Sequence, residues 1–224
     1  MKTFTLVLLA SLIQPAFAAS APSALAEFAK CDASFYRLLG SNPGLLKNTE
    51  LVSKGGYANF KLGPKQNPNE GLEEATAGMQ ESVRSVELKP MAQLPEGVAA
   101  EYYEERHFQS TKSFSSHENG KEELYRWTLH LKTTPKQLRS TLDKAGPKLP
   151  WQCEDGICTI FRQQQKAEWA VVGREKIDGN KPYLVLMLSE AGTDSKSSEL
   201  ECELRTEGRH LPKEAIRNLR PDWQ

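Results

Sequence analysis

The short segment from Cys153 to Cys158 constrains the local fold more tightly than any other part of the sequence. At its centre the dipeptide Asp155-Gly156 favours a two-residue type I′ turn, because both residue types tolerate the positive φ that this turn requires. With the turn placed there, Cys153 and Cys158 become a directly opposed, non-hydrogen-bonded pair. Their Cα atoms would lie about 4.5 Å apart, within the range of a disulfide. The sequence therefore predicts a β-hairpin that carries its own disulfide.

Residues 1–18 have the pattern of a cleaved secretory signal. Lys2 supplies the positive n-region, residues 4–13 an apolar run, and Ala16-Phe17-Ala18 a small-x-small cleavage site. The apolar run is too short to cross a hydrocarbon core of roughly 30 Å, and no later stretch approaches the length of a transmembrane segment. We expect a processed chain beginning at Ala19 in the periplasm, with the extracellular medium as the alternative.

The two other cysteines, Cys31 and Cys202, are predicted by elimination to form a second disulfide. An even number of cysteines in an exported chain favours disulfides over free thiols. The Cys-x4-Cys spacing of Cys153 and Cys158 differs from that of a Cys-x-x-Cys redox centre, and no paired Cys/His spacing indicates a zinc site. The second disulfide would tie the N-terminal helix to the last strand.

The charge balance gives the protein no global field. Its 29 basic residues match its 29 acidic residues, and removal of Lys2 with the leader leaves 28 against 29, a net charge of −1. Such a chain does not collect nucleic acid or acidic lipid by its overall charge, although local patches can still bind. Nucleic acid is not an expected partner. An apolar fraction of 38% is typical of a globular domain, not of a disordered tail or a membrane bundle.

Three helices are predicted. The first covers residues 22–39, where apolar residues recur at near-helical spacing. The second opens at Thr134 as N-cap, with Pro135 in the first position and Gln137 completing a capping box. The third begins at Pro212 and carries an apolar stripe.

The strands are predicted mainly as hairpins. The dipeptide Asn119-Gly120 predicts a second tight turn and sets Phe108 opposite Leu131. On the returning strand, alternate residues from Tyr125 onward are apolar and polar, as in a half-solvated antiparallel sheet.

Later strands are predicted over residues 168–174 and 183–189, joined across Asp178-Gly179. The second of these is apolar on both faces and should be central in the sheet. Residues 199–205 alternate strictly, which places Cys202 on the inner face.

These elements predict an α+β fold: an antiparallel sheet built from hairpins, with three helices (N-terminal, central and C-terminal) packed on one face. Residues 19–224 are expected to form a single domain. Residues 63–97, rich in Gly, Pro, Asn and Glu, are predicted as an irregular excursion with a short helix at 72–79 and a strand at 85–88.

A basic ridge on the C-terminal segment is one candidate binding surface. Four cations recur there at helical spacing and could meet an acidic partner, lipid head groups or a polyanion: Arg209, Lys213, Arg217 and Arg220. The alternative is an ordinary solvated helix face.

Aromatic and titratable residues of the central hairpin are further candidates. Tyr102 and Tyr103 are adjacent, so one should face the core and the other a solvated face, where tyrosine favours recognition. His130 and Arg126 share the polar face of one strand and, in a cleft, could bind an anion or move a proton. His107 follows two carboxylates, but adjacent strand residues point to opposite faces and suit a metal poorly.

The sequence contains no catalytic or phosphate-binding motif, and no cofactor or metal is predicted. The leading hypothesis is a non-enzymatic periplasmic binding protein, an inhibitor or immunity protein that recognises another envelope protein. The alternative is an envelope hydrolase that uses His130 or His107 with carboxylates in a dispersed site. A third is an assembly factor that associates through a sheet edge.

Overall fold

A computed structural model gives the fold, and it describes residues 23–70, 78–110, 122–165, 168–192, 194–207 and 209–221. Its helices are α1 (Ala24–Phe28), α2 (Ser34–Ser41), α3 (Pro135–Ala145) and α4 (Lys213–Leu219), with one 3-10 turn at Arg174–Lys176. Its strands are β1 (Leu51–Lys54), β2 (Tyr57–Phe60), β3 (Met79–Gln93), β4 (Ala99–Ser110), β5 (Glu122–Leu131), β6 (Gln152–Glu154), β7 (Ile157–Gln165), β8 (Glu168–Val172), β9 (Tyr183–Ala191) and β10 (Asp194–Thr206). The predicted leader, residues 1–18, lies outside the described residues.

Strands β3 to β10 form one antiparallel sheet. Its order is β3-β4-β5-β10-β9-β7-β6, and β8 pairs with the second half of β7. Strands β1 and β2 form a separate hairpin. The predicted α+β class with an antiparallel sheet is therefore confirmed, although the described part of the chain contains four α-helices where three were predicted.

The additional helix arises because the predicted N-terminal helix is divided into α1 and α2. The chain leaves the helical path at Cys31, whose φ of 59° lies in the left-handed region. The Asp32 carboxylate then accepts a hydrogen bond from the Ser34 amide (2.7 Å) where α2 begins. The break allows Cys31 to reach Cys202 on β10, to which it is bonded as predicted.

The predicted irregular excursion at 63–97 is wrong over most of its second half. Residues 79–93 form β3, at 15 residues the longest strand described. The strand predicted at 85–88 is part of it, whereas most of the helix predicted at 72–79 lies outside the described residues.

Strand β3 has an unusual composition because it lies at the edge of the sheet. Edge strands tolerate charged residues and proline, since one row of their backbone groups needs no partner strand. Pro90 lies where the register with β4 shifts, between Glu87 and Ala92. The charged residues and Pro90 of β3 are the reason that the sequence pattern predicted a loop here.

Strands β4 and β5 are adjacent and antiparallel, as predicted, but their predicted register is wrong. Phe108 lies opposite Leu124, not opposite Leu131. The observed register sets Tyr103 opposite Leu129, and both side chains are fully buried. In the predicted register Tyr103 would lie beyond the end of β5. Burial of the inner face thus sets the register of β4 with β5. The predicted turn dipeptide, Asn119-Gly120, lies outside the described residues.

The strand predicted over 168–174 forms as β8, but its predicted partner is wrong. Strand β8 pairs with β7, and β9 lies between β7 and β10. A strand that is apolar on both faces takes a neighbour on each edge, which leaves β8 no place beside β9. The predicted central position of β9 is confirmed.

The predicted disulfide hairpin is confirmed. Cys153 lies opposite Cys158, the two are bonded, and their Cα atoms are 4.0 Å apart. Asp155 and Gly156 have φ values of 49° and 81°, as a type I′ turn requires.

The predicted start of the central helix is confirmed as well. The Thr134 side chain accepts a hydrogen bond from the Gln137 amide, the Gln137 side chain accepts one from the Thr134 amide, and the capping box is complete. Leu138 and Leu142 are buried on its inner side. The helix therefore begins where local chemistry dictates.

A single hydrophobic cluster joins the sheet to the helices. The inward positions of β5, β10 and β9 contribute Trp127, Leu129, Leu131, Leu200, Cys202, Leu204, Leu184, Leu186 and Leu188. The helices contribute Leu25, Phe28, Phe35, Leu39, Leu138, Leu142 and Leu219. The predicted inward position of Cys202 is thus confirmed.

We expect the two disulfides to contribute very differently to stability. The Cys31–Cys202 bond spans 171 residues and the Cys153–Cys158 bond spans 5. On the chain-entropy model, replacing the first pair with alanine should lower the free energy of unfolding by about 5 kcal/mol and replacing the second by about 2 kcal/mol. Urea unfolding followed by circular dichroism measures both, and equal losses would contradict the model.

Candidate functional site

The strand residues that alternate with the core positions form a second surface of the sheet, the outer face. Its members on the central strands are Arg126, Thr128, His130, Glu199, Glu201, Glu203, Arg205, Tyr183, Val185, Met187, Thr159 and Phe161. Charged residues dominate it on β5 and β10, and apolar residues on β9 and β7. Polar and apolar surface therefore meet along one continuous face.

The charges of β5 and β10 neutralise one another across the strands. Glu203 accepts hydrogen bonds from Arg126 (Nη2 to Oε2, 2.8 Å) and from Arg205 (Nη1 to Oε1, 3.1 Å). Arg205 also contacts Glu122 at 2.7 Å. The Glu203 side chain is only 2% exposed, so the two guanidinium groups cover it and satisfy both of its oxygens.

Glu201 is the most perturbed carboxylate of this face. Its pKa is raised to about 7, mainly because the carboxyl group is buried. Arg126, 3.1 Å away, acts to lower this pKa, and Glu203 acts to raise it. Thr128 donates a hydrogen bond to its other oxygen (3.3 Å). A carboxyl group that titrates near neutrality on a surface of this kind is a candidate functional group.

A hollow of about 450 Å³ lies on the outer face where the charged and apolar residues meet; we call it the first hollow. Phe161, Ile177, Val185 and Met187 give it apolar walls. The remaining lining residues are Arg126, Thr159, Arg174, Tyr183, Glu203, Arg205 and Glu207. A concave site with apolar walls and a few fixed polar groups is the usual form of a binding site.

A second hollow of similar volume continues toward the disulfide hairpin. It shares Thr159, Phe161 and Arg174 with the first, and its other lining residues are Gln152, Cys153, Glu154, Asp155 and Ile157. The two hollows together form a groove across β10, β9 and β7 to the hairpin turn.

Arg174 lies at the junction of the two hollows. It belongs to the 3-10 turn, its side chain is exposed, and no described carboxylate lies within ion-pair distance of it. By contrast, Arg126 and Arg205 in the first hollow are held by carboxylates. Arg174 is therefore the cation of the groove that is available to a ligand.

Only three of the four cations in the predicted basic ridge are exposed to solvent. Arg209, Lys213 and Arg217 are exposed. Arg220 is not: its side chain is 1% exposed and lies in the core, so this part of the prediction is wrong. The ridge is reduced to these three cations.

Arg220 is held inside by a buried carboxylate and by aromatic rings. Its Nη2 donates to Glu105 Oε1 at 2.8 Å, and its guanidinium lies 3.7 Å from the ring centroid of Tyr36 and 5.1 Å from that of Trp127. An ion pair stacked between rings satisfies a buried guanidinium in a way that an exposed helix face does not offer. Sequence spacing alone gives no sign of this, because the contacts come from α2, β4 and β5.

The predicted division of the tyrosine pair is confirmed. Tyr103 is fully buried, donates to Glu105 at 2.8 Å and lies 2.6 Å from the Tyr36 hydroxyl. Tyr102 is half-buried on the outer face, with its ring 4.9 Å from that of His130 in an edge-to-face contact.

His130 and Arg126 have separate partners on the outer face. His130 Nδ1 lies 3.4 Å from Glu199. Arg126 is bound to Glu201 and Glu203. The structure thus gives the two residues different carboxylates and leaves His130 outside the lining of the first hollow.

A second titratable cluster lies near the C-terminal segment and was not predicted from the sequence. His107 Nε2 is 2.9 Å and His210 Nδ1 is 3.4 Å from the Glu123 carboxylate, which also accepts the Leu211 amide at 2.9 Å. The His107 ring stacks on Tyr125 with centroids 4.1 Å apart. Because His210 is far along the chain, no local motif could have revealed the cluster.

The state of Glu123 shows what this cluster does. Burial acts to raise its pKa, but the hydrogen bonds from His107 and from the Leu211 amide outweigh burial, and the net pKa is lowered. Glu123 is therefore an ionised carboxylate that anchors the segment before α4 to the start of β5.

The sequence could have pointed to the apolar half of the groove, but the signal was ambiguous. Val185 and Met187 belong to the run that is apolar on both faces, a pattern equally typical of a central strand. Phe161 and Ile177 show no pattern at all, since they meet only through the pairing of β7 with β9 and the path of the following loop.

Among the described residues, no three His, Cys, Asp or Glu side chains are arranged to hold a metal ion. None of the described helices is long and apolar enough to cross a membrane. The chain matches no protein-family model, no curated protein and no solved structure.

Replacing Arg220 with alanine should destabilise the fold by about 3–5 kcal/mol, because Glu105 would remain as a buried, unpaired charge. Arg217→Ala, three residues earlier on the exposed side of α4, is the matched control and should change the free energy of unfolding by less than about 0.5 kcal/mol. Chemical denaturation measures both. Similar effects of the two substitutions would rule out the buried position of Arg220.

Glu201 should make the stability of the protein depend on pH. Its pKa is about 7 in the folded chain against an ordinary value of 4.5, so the folded chain binds more protons between these values and loses stability as pH rises through them. Glu201→Gln, which stays neutral, should gain stability relative to the wild type from pH 4.5 to pH 7 and no more above that range. Urea unfolding at a series of pH values tests this, and a constant difference would contradict it.

Proposed function

We propose that this chain is an exported, non-enzymatic binding protein of the periplasm that recognises another envelope protein through the outer face of its sheet. An inhibitor or immunity protein, which would block a toxin or hydrolase acting in the envelope, is the form of this function that we favour. The observation that carries the proposal is the groove formed by the two hollows, with apolar walls and the available cation Arg174.

The distribution of the helices supports an open outer face. Residues of all four described helices belong to the same hydrophobic cluster as the inward positions of β5, β9 and β10. We infer that the helices pack on that one face of the sheet. The α-helices would then leave the outer face uncovered. Because Tyr183 and Val185 are already buried there, a partner would meet chiefly the half-buried Phe161 and Met187 and the exposed Arg174, a mixture that suits protein recognition.

The disulfides support both the compartment and the type of function. Two bonded cysteine pairs persist in an oxidising environment such as the periplasm. One pair fixes α1 and α2 to the sheet, and the other stiffens the hairpin at one end of the groove. A pre-ordered surface loses less conformational entropy on binding, which favours tight recognition of a protein.

An envelope hydrolase is the second candidate, favoured by the raised pKa of Glu201. Against it, Arg126 and Thr128 hold this carboxyl group, and it does not line the first hollow. The histidines predicted for such a site, His130 and His107, each lie beside a different carboxylate. A general base must reach its substrate, and Glu201, His130 and His107 do not face one common cavity among those described here.

The test compares two methionine substitutions in the processed protein. Met187→Lys places a charge in the first hollow, whereas Met91→Lys changes an exposed methionine on the edge strand β3, outside both hollows. Each variant is crosslinked in cells, recovered from the envelope, and its bound protein quantified by mass spectrometry. We expect a stoichiometric partner with the wild type and with Met91→Lys, and at least tenfold less with Met187→Lys because an unpaired charge would be buried in the interface.

Two outcomes would contradict the proposal. Equal capture by both variants would show that the groove is not the binding surface. Turnover of an envelope substrate that Glu201→Gln abolishes, with no bound protein, would favour the hydrolase.

A further inference from the structure

The groove has a defined electrical polarity. In the first hollow, three arginines and two glutamates leave one net positive charge. At the far end of the second hollow lie Glu154 and Asp155, on the turn of the disulfide hairpin. Arg174 stands between the two ends. Without Arg174, the first hollow contains two arginines and two glutamates and is neutral. A ligand lying along the groove thus meets positive charge at Arg174 and negative charge at the hairpin end.

The positive charge is available at one place. Glu203 binds both Arg126 and Arg205, so their guanidinium groups face the groove already paired. Arg174 has no ion-pair partner within the described part of the chain and lines both hollows. A guanidinium group binds a carboxylate with two parallel hydrogen bonds, so a carboxylate is the ligand group that it fits best.

The shape of the groove favours an extended chain over a small anion. Ile157, Thr159 and Phe161 point into it from alternate positions of β7. Successive outward residues of a strand are about 6.6 Å apart, so these three alone cover roughly 13 Å. Side chains of an extended peptide repeat with the same spacing and can enter the hollows in alternation.

We propose that the groove binds an extended segment of the partner protein that carries an Asp or Glu at Arg174, an apolar side chain in the first hollow, and a basic residue beside Glu154 and Asp155. This inference rests on the proposed function and specifies the ligand of the same surface. The apolar side chain contacts the half-buried Phe161 and Met187. The acidic turn repels a carboxylate, so it fixes the direction in which the segment lies.

The experiment uses random peptides displayed on phage and selected on the processed, disulfide-bonded protein. We expect enriched peptides to combine an acidic residue, an apolar residue one or two positions away, and a basic residue at the opposite end. A labelled copy of the most enriched peptide is then titrated by fluorescence polarisation against the wild type and two variants. Arg174→Ala should weaken binding at least tenfold, the scale of a lost charge-assisted hydrogen bond.

Lys176→Ala is the matched control, because Lys176 is an exposed cation of the same 3-10 turn that lines neither hollow. It should leave peptide affinity unchanged. Replacing the acidic residue of the peptide with its amide should weaken binding to the wild type and have no effect on binding to Arg174→Ala.

Failure of this inference is separable from failure of the proposed function. Three results would contradict the inference that an acidic segment binds at Arg174. They are enrichment of no peptide, enrichment of wholly basic or wholly apolar peptides, and equal affinity of the peptide for the wild type and Arg174→Ala. If envelope capture still depended on Met187 in that case, the outer face would remain the binding surface and its partner would be recognised by different chemistry.

Discussion

The buried ion pair between Arg220 and Glu105 is the constraint on which the rest of the fold depends. A charged pair in a core is stable only when further hydrogen bonds and contacts help to offset the desolvation of both ions. Glu105 therefore also accepts hydrogen bonds from Tyr103 and Asn59, each at 2.8 Å, while Tyr36 lies against the guanidinium. One ion pair thus specifies the relative positions of α2, β2, β4 and the end of α4.

Features governed by neighbours in the chain could be predicted from the sequence. The hairpin disulfide follows from the turn chemistry of Asp155-Gly156, and the start of α3 follows from Thr134 and Gln137. Strict alternation placed Cys202 on the inner face, and elimination then paired it with Cys31. In each case a period or a cap within a few residues carries the information.

Features decided by distant residues could not be predicted. The register of β4 and β5 depends on burying Tyr103 against Leu129, and the burial of Arg220 depends on rings from two other elements. The groove also depends on distant residues. It exists only because β7, β9 and the loop carrying Arg174 lie next to one another, and no local sequence pattern indicates that arrangement. An exposed helix ridge was the simplest interpretation of regularly spaced cations, and tertiary contacts overrode it for one of them.

The edge strand β3 has a consequence for the behaviour of the protein in a crowded compartment. Gly63, Gln66 and Lys47 bond to part of its edge backbone, and the remainder would offer a template on which another chain could add a strand and start a fibril. Glu81, Arg84, Glu87 and Lys89 bring charge along that edge, and Pro90 removes a donor from it. A strand added on this side would have to accommodate these charges, and its carbonyl opposite Pro90 would lack a hydrogen-bond donor. The composition that made the segment look like a loop is what keeps it from seeding aggregates.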